Sequence, residues 1–148
     1  MSLQNLLKIG QLKQHATDAE EVGRLLAAAE RGLADARVTA ITTETRFDAA
    51  YRAVTQVGLV MLLVHGFRPD TNRPGHHMTI IQTLPSTLGI TNERMVVLDT
   101  LRRKRNLVDY TGEDIDDDSV AVCLKEGQSL LDEARSWVNL HRPGLATE

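Results

Sequence analysis

Leu101-Arg102-Arg103-Lys104-Arg105-Asn106-Leu107-Val108-Asp109-Tyr110-Thr111-Gly112 reads as the closing turns of a helix, with consecutive cations set beside apolar positions and a glycine at the stop. On a wheel of about 100° per residue, Val97, Leu101 and Val108 fall within a narrow apolar arc, with Leu98 on its edge and Arg105 beside them. Arg102 and Asp109 lie just outside the arc, and Asn106 and Asp99 lie further round toward the polar side. A guanidinium at the rim of a core stripe keeps its charge, so it needs a carboxylate, a carbonyl or a phosphate within reach. Two readings follow. In the structural one, Asp109 pairs with Arg105 one turn away, and the cations of the last turn complement the helix dipole before Gly112 ends it. In the functional one, Arg105 faces a phosphate.

Beyond Gly112, the acidic run Glu113 to Ser119 places negative charge at the start of a last helix, where it favours the dipole and satisfies free amides. Its glycine and distal glutamate do not occupy the positions of an EF-hand calcium loop, which argues for capping over metal binding. Val120, Cys123, Leu124, Leu130, Leu131, Ala134, Trp137 and Val138 then form one wide helical stripe, closed by His141-Arg142-Pro143-Gly144.

On the other side, Thr91 or Asn92 caps the helix that carries the opening stretch. Before it, His76-His77 opens a short helical segment to Leu84 with His77, Ile80, Ile81 and Leu84 on one face, ended by Pro85. Arg68 to Gly75 is a turn-rich linker that proline and glycine keep out of regular structure. From Glu44 to about Phe67 the positions Phe47, Ala50, Tyr51, Val54, Val57, Met61 and Val64 form a stripe, and Leu59, Val60, Leu62 and Leu63 fill the other faces. A helix that becomes apolar all round is surrounded by neighbours or by a second subunit, so its second half is a candidate dimer contact. Val22, Leu25, Leu26, Ala29, Leu33 and Ala36 mark an earlier helix introduced by Thr17-Asp18-Ala19-Glu20, read as a capping box, and Thr42 or Thr43 caps the helix after it. Leu3, Leu6 and Leu7 begin an amphipathic arm that fades near Gly10. The expected fold is all-α: an antiparallel four-helix bundle, with an N-terminal helical arm and a short inserted helix, in one domain spanning 1–148 with its core at about 18–140.

Composition supports that expectation. The 148 residues are 42% hydrophobic, 25% charged and only 3% aromatic, a palette for helix packing rather than a β-sandwich. A net charge of −3 argues against a surface that is wholly a nucleic-acid clamp. The single Cys123 allows no internal disulfide and no C-x-x-C zinc site, so a reducing, cytoplasmic setting is expected. The longest apolar run, Leu59 to Val64, is far short of the roughly 20 residues that span a bilayer, and no signal-peptide pattern opens the chain.

The order of these pieces resembles the HEPN (higher eukaryotes and prokaryotes nucleotide-binding) domain superfamily. The resemblance rests on Glu44-Thr45-Arg46-Phe47-Asp48-Ala49-Ala50-Tyr51, an Arg-Pro linker, Gly75-His76-His77 and Arg105-Asn106-Leu107-Val108-Asp109-Tyr110, and covers roughly residues 18 to 140. It implies a helical bundle that forms a homodimer, acts in a toxin–antitoxin or phage-defence system and has a nucleotidyltransferase-type protein as partner. Catalytic members cut RNA without metal, using an R-N-x-x-x-H motif near the dimer seam. The guanidinium stabilises charge on the phosphate and the imidazole moves a proton. Arg105-Asn106 matches the first half of the motif, but Tyr110 stands where its histidine is expected, and Val108 lies five residues after Arg103. A tyrosine, with a reference pKa near 10, is a poor base at neutral pH.

The resemblance therefore implies a non-catalytic or weakly active domain that binds nucleotide or RNA through Arg102, Arg105, Asn106, Asp109 and Tyr110, with neither cofactor nor metal. One alternative is a metal-independent ribonuclease that pairs Arg105 with a displaced His77, leaving Arg105, Tyr110 and His77 as the catalytic candidates. Another is a purely structural dimeric scaffold. His77 also has a bland reading, as a partly buried ring bonded to a backbone carbonyl.

Overall fold

Short polar side chains start the helices. In a computed structural model of the chain, which describes residues 2–146, the Ser2 hydroxyl accepts from the Asn5 N–H at the head of α1 (Leu3–Lys8). After strand β1 (Leu12–Gln14), Asp18 accepts from the Glu21 N–H at 2.8 Å and starts α2 (Ala19–Ala36). The cap is thus Asp18 rather than Thr17, whose hydroxyl donates instead to the Glu21 carboxylate at 2.6 Å. Thr42 caps α3 (Thr43–Val64), as its sequence position suggests. Strand β2 (Phe67–Pro69) leads to two short helices, α4 (His76–Gln82) and α5 (Leu84–Thr87). Thr91 caps α6 (Asn92–Thr111), and Asp116 caps α7 (Asp117–His141), which runs into a 3-10 turn at Pro143–Leu145.

The chain is predominantly helical, with one element that helical periodicity does not reveal. β1 pairs antiparallel with β2, Leu12 opposite Pro69 and Gln14 opposite Phe67. Arg68-Pro69, expected to be irregular, is therefore strand, and the proline fits because it ends a two-stranded ribbon where one missing N–H is tolerated. The N-terminal arm folds back through this ribbon: Leu6, Leu12, Leu62, Phe67 and Ile80 form a small apolar cluster behind α3. Pro85 likewise falls in the first turn of α5 and does not close the preceding segment. Proline suits a first turn, where its missing N–H has no intrahelical partner to lose.

α2, α3 and α7 pack most extensively against one another, and α6 lies at their flank against α4, α7 and α3. The main core joins Leu26, Ala29 and Leu33 of α2, Phe47, Val54 and Met61 of α3, and Leu130, Leu131 and Val138 of α7. Each of these leucine, valine, phenylalanine and methionine side chains contributes about 1.5–3 kcal/mol by leaving water. Gly58 lets α4 approach α3, because a Cβ there would lie 2.5 Å from Ile80 Cγ2.

From Val57 to Val64 every residue of α3 except Leu59 is buried by the chain's own elements. Of this half-helix, expected to meet a second subunit, only Leu59 keeps surface between Val57 and Val64 for such a contact. α3 is the one described helix long and apolar enough to cross a membrane, yet 72% of that apolar window is buried, which leaves little surface for lipid.

Candidate functional site

α6 sits in a corner of the fold and so buries more than one face. Leu98 and Leu101 enter the core, as expected, but Val97 is 39% exposed and Asp99, assigned to the polar side by the wheel, is only 7% exposed. Asp99 is held by two neighbours on its own helix, Arg102 Nε at 2.9 Å and Arg103 Nε at 3.1 Å. Arg102 is consequently sequestered in an ion pair, its side chain 12% exposed.

Arg105 is placed differently. Its expected pairing with Asp109 does not form. Nε lies instead 3.4 Å from Asp48 Oδ1 on α3, without hydrogen-bond geometry, and is itself buried with no acceptor. Its guanidinium carbon stands 5.3 Å from the centre of the Tyr51 ring, within the range of a cation–π contact. Tertiary packing brought a carboxylate and an aromatic face of α3 to Arg105, and these displace the partner one turn away.

Tyr51 connects the elements of the site. One side of its ring lies nearly parallel to Phe47, with centroids 6.3 Å apart, and His77 of α4 tilts toward it at 6.2 Å. Burial pushes the phenol pKa up to about 12, so its hydroxyl stays protonated and available as a donor, and it has no partner among the described residues. Burial also lowers the His77 pKa, and the fields of His76, Arg105 and Arg102 act in the same direction. The imidazole is therefore neutral at pH 7. It does not bond a backbone carbonyl among the described residues, as His65 and His141 do: His65 Nε2 donates to the Thr87 carbonyl at 2.9 Å while its ring is tilted against Trp137, and His141 Nδ1 donates to the Trp137 carbonyl at 3.1 Å.

Two cavities meet at Arg105. One, of about 300 Å³, is lined by Asp48, Tyr51, Arg52, Thr55, His77 and Arg105. The other, of about 290 Å³, includes Glu44, Asp48, Asp109 and Glu113. Beside it Asp114 shares a hydrogen bond with Glu44, which raises the Asp114 pKa; the Glu44 pKa is lowered, first by its own backbone N–H. The carboxylates repel an anion from the second cavity, whereas two guanidiniums against one carboxylate attract it to the first. Among the described residues no group of three His, Cys, Asp or Glu side chains gathers as a metal ion requires.

The chain matches no family model, no curated protein and no solved structure. The chemistry of the cleft thus rests on its own side chains.

Of the residues singled out in the sequence, the structure brings Arg105 and His77 to one cavity. Asp109 lines the acidic cavity, Arg102 is tied to Asp99, Asn106 is exposed and Tyr110 is 91% exposed. The contribution of α3, namely Asp48, Tyr51, Arg52 and Thr55, was not anticipated. A signal existed: Asp48, Arg52 and Thr55 recur at helical spacing beside the apolar Phe47-Tyr51-Val54 row, a polar stripe bordering a core stripe. A guanidinium, a neutral imidazole and a protonated phenol around one cleft can bind a phosphate by charge and hydrogen bonds.

Proposed function

We propose that the chain is a HEPN-like four-helix bundle of α2, α3, α6 and α7 that holds a phosphate of a nucleotide or RNA against Arg105, with little or no turnover. The observation that carries this reading is the buried Arg105 Nε without an acceptor, at the edge of a cleft with more guanidinium than carboxylate charge. Such a group is costly unless a ligand completes its hydrogen bonds. Tyr110, at the position of the family's histidine, is exposed and outside the cleft, which supports binding over cleavage. In this reading the protein works as a homodimer in the cytoplasm, in a toxin–antitoxin or defence-type system, with a nucleotidyltransferase-type protein as partner.

The test is fluorescence anisotropy with a short labelled single-stranded RNA, competed with ATP, at two salt concentrations. Binding is expected to weaken with salt and to fall about tenfold or more in Arg105→Ala, since a hydrogen bond to a charged group is worth about 1.5–3 kcal/mol. Equal binding by Arg105→Ala overturns the proposal and leaves the scaffold reading, in which the substitution lowers only the melting temperature.

A second reading is favoured by His77 specifically. A neutral imidazole in the same cavity as Arg105 could accept the proton of a 2′-hydroxyl while the guanidinium stabilises the phosphate. RNA cleavage in EDTA that is lost in His77→Ala, with binding retained, would establish it.

A further inference from the structure

A cavity of about 520 Å³, larger than either space beside Arg105 and sharing no residue with them, lies where α2 and α3 meet the β2 end of the ribbon. Its floor is apolar: Leu25 of α2, Leu59 and Leu63 of α3, and Pro69. From Val57 to Val64 of α3, Leu59 is the single residue that the fold leaves incompletely covered. Around this floor stand Arg24, Arg31 and Arg68.

The charges are unbalanced. Arg24 pairs with Glu20 at 3.1 Å, but both side chains are largely in solvent, so the pair contributes little. Arg31 and Arg68 form no ion pair or side-chain hydrogen bond among the described residues. The one carboxylate on the rim, Glu21, is already engaged by the Thr17 hydroxyl at 2.6 Å and by His15 Nε2 at 2.7 Å. Three guanidiniums on a chain of net charge −3 therefore border a single apolar hollow; its one lining carboxylate is committed, and only Arg24 of the three has a carboxylate, Glu20, as its own partner. Arg31 and Arg68 thus keep their N–H donors free for an anion at the edge of the apolar floor. The hollow falls within the range of about 300–1,000 Å³ usual for small-molecule sites.

We propose that this cavity binds a small amphiphilic anion, its carboxylate or phosphate head held by Arg31 and Arg68 and its hydrocarbon body laid on Leu25, Leu59 and Leu63. Both halves of the ligand are required. A head alone finds guanidiniums that water already solvates, and a tail alone makes no use of their donors. The site acts independently of the Arg105 cleft.

The experiment is isothermal titration of the full chain with dodecanoate and with dodecyl phosphate, each below its micelle concentration. Inorganic phosphate and dodecanol serve as head-only and tail-only controls. Saturable binding of one equivalent is expected for both amphiphiles, at least tenfold weaker in the double variant Arg31→Gln/Arg68→Gln and in Leu59→Gln, and much weaker for either control. Circular dichroism verifies that the variants, altered at exposed or half-exposed positions, remain folded. Binding of RNA through Arg105 should be unchanged in these variants, which separates failure here from failure of the first site. Affinity insensitive to the arginine substitutions, no saturable binding of either amphiphile, or association only with vesicles of mixed phosphatidylcholine and phosphatidylserine would overturn the proposal.

Discussion

The guanidinium carbon of Arg105 lies 5.3 Å from the centre of the Tyr51 ring, and the buried Tyr51 hydroxyl has no hydrogen-bond partner among the described residues. The ring and the hydroxyl therefore have separable roles. Tyr51→Phe keeps the cation–π face and deletes only the unpaired group, so stability in urea should be unchanged or raised, by as much as about 1–3 kcal/mol. If the hydroxyl donates to a bound phosphate or ribose, the same variant should bind RNA several-fold more weakly. A clear loss of stability would mean that the hydroxyl is satisfied in solution.

Asp99 gives a test of how α6 is seated. Its carboxylate is 7% exposed and holds Arg102, which is itself nearly buried. Asp99→Ala should destabilise the fold by about 3 kcal/mol, because removing one partner of a buried pair leaves the other charge uncompensated. Arg103→Ala, at the 74% exposed end of the same cluster, should change stability by less than about 1 kcal/mol. Equal losses in chemical denaturation would mean that Asp99 is not buried as described.

His77 should impose a pH dependence of known sign. Burial, with smaller contributions from His76, Arg105 and Arg102, places its folded-state pKa below the ordinary 6.5. As pH falls through 6.5 the unfolded chain takes up the proton first, so the contribution of neutral His77 is whole above that value and is lost progressively below it. The unfolding free energy of the native chain should thus rise with pH across this window more steeply than that of His77→Gln. Identical slopes in urea titrations at a series of pH values would contradict the burial of this ring.

Much of the local structure is legible in the sequence alone. Thr42 and Thr91 cap α3 and α6, Gly112 ends α6 with φ of 69°, and the stripe of α7 enters the core, because each depends on residues within a turn or two of one another. The ribbon was hidden for the opposite reason. β1 and β2 are three residues each, too short for an alternating pattern to register, and each exists only because the other lies beside it.

The same distinction governs the two sites. The sequence by itself determined that the chain would be helical, where its long helices begin, and that Arg105 stands at the margin of an apolar stripe, since these follow from backbone geometry and the period of side chains along one element. Only the tertiary structure decided that Asp99 is buried, that Arg105 faces Asp48 and Tyr51 and does not pair with Asp109, and that Arg24, Arg31 and Arg68 surround one hollow. Those outcomes depend on how separate helices are rotated and docked. That docking is set by the summed burial of many side chains, which no single stretch of sequence contains.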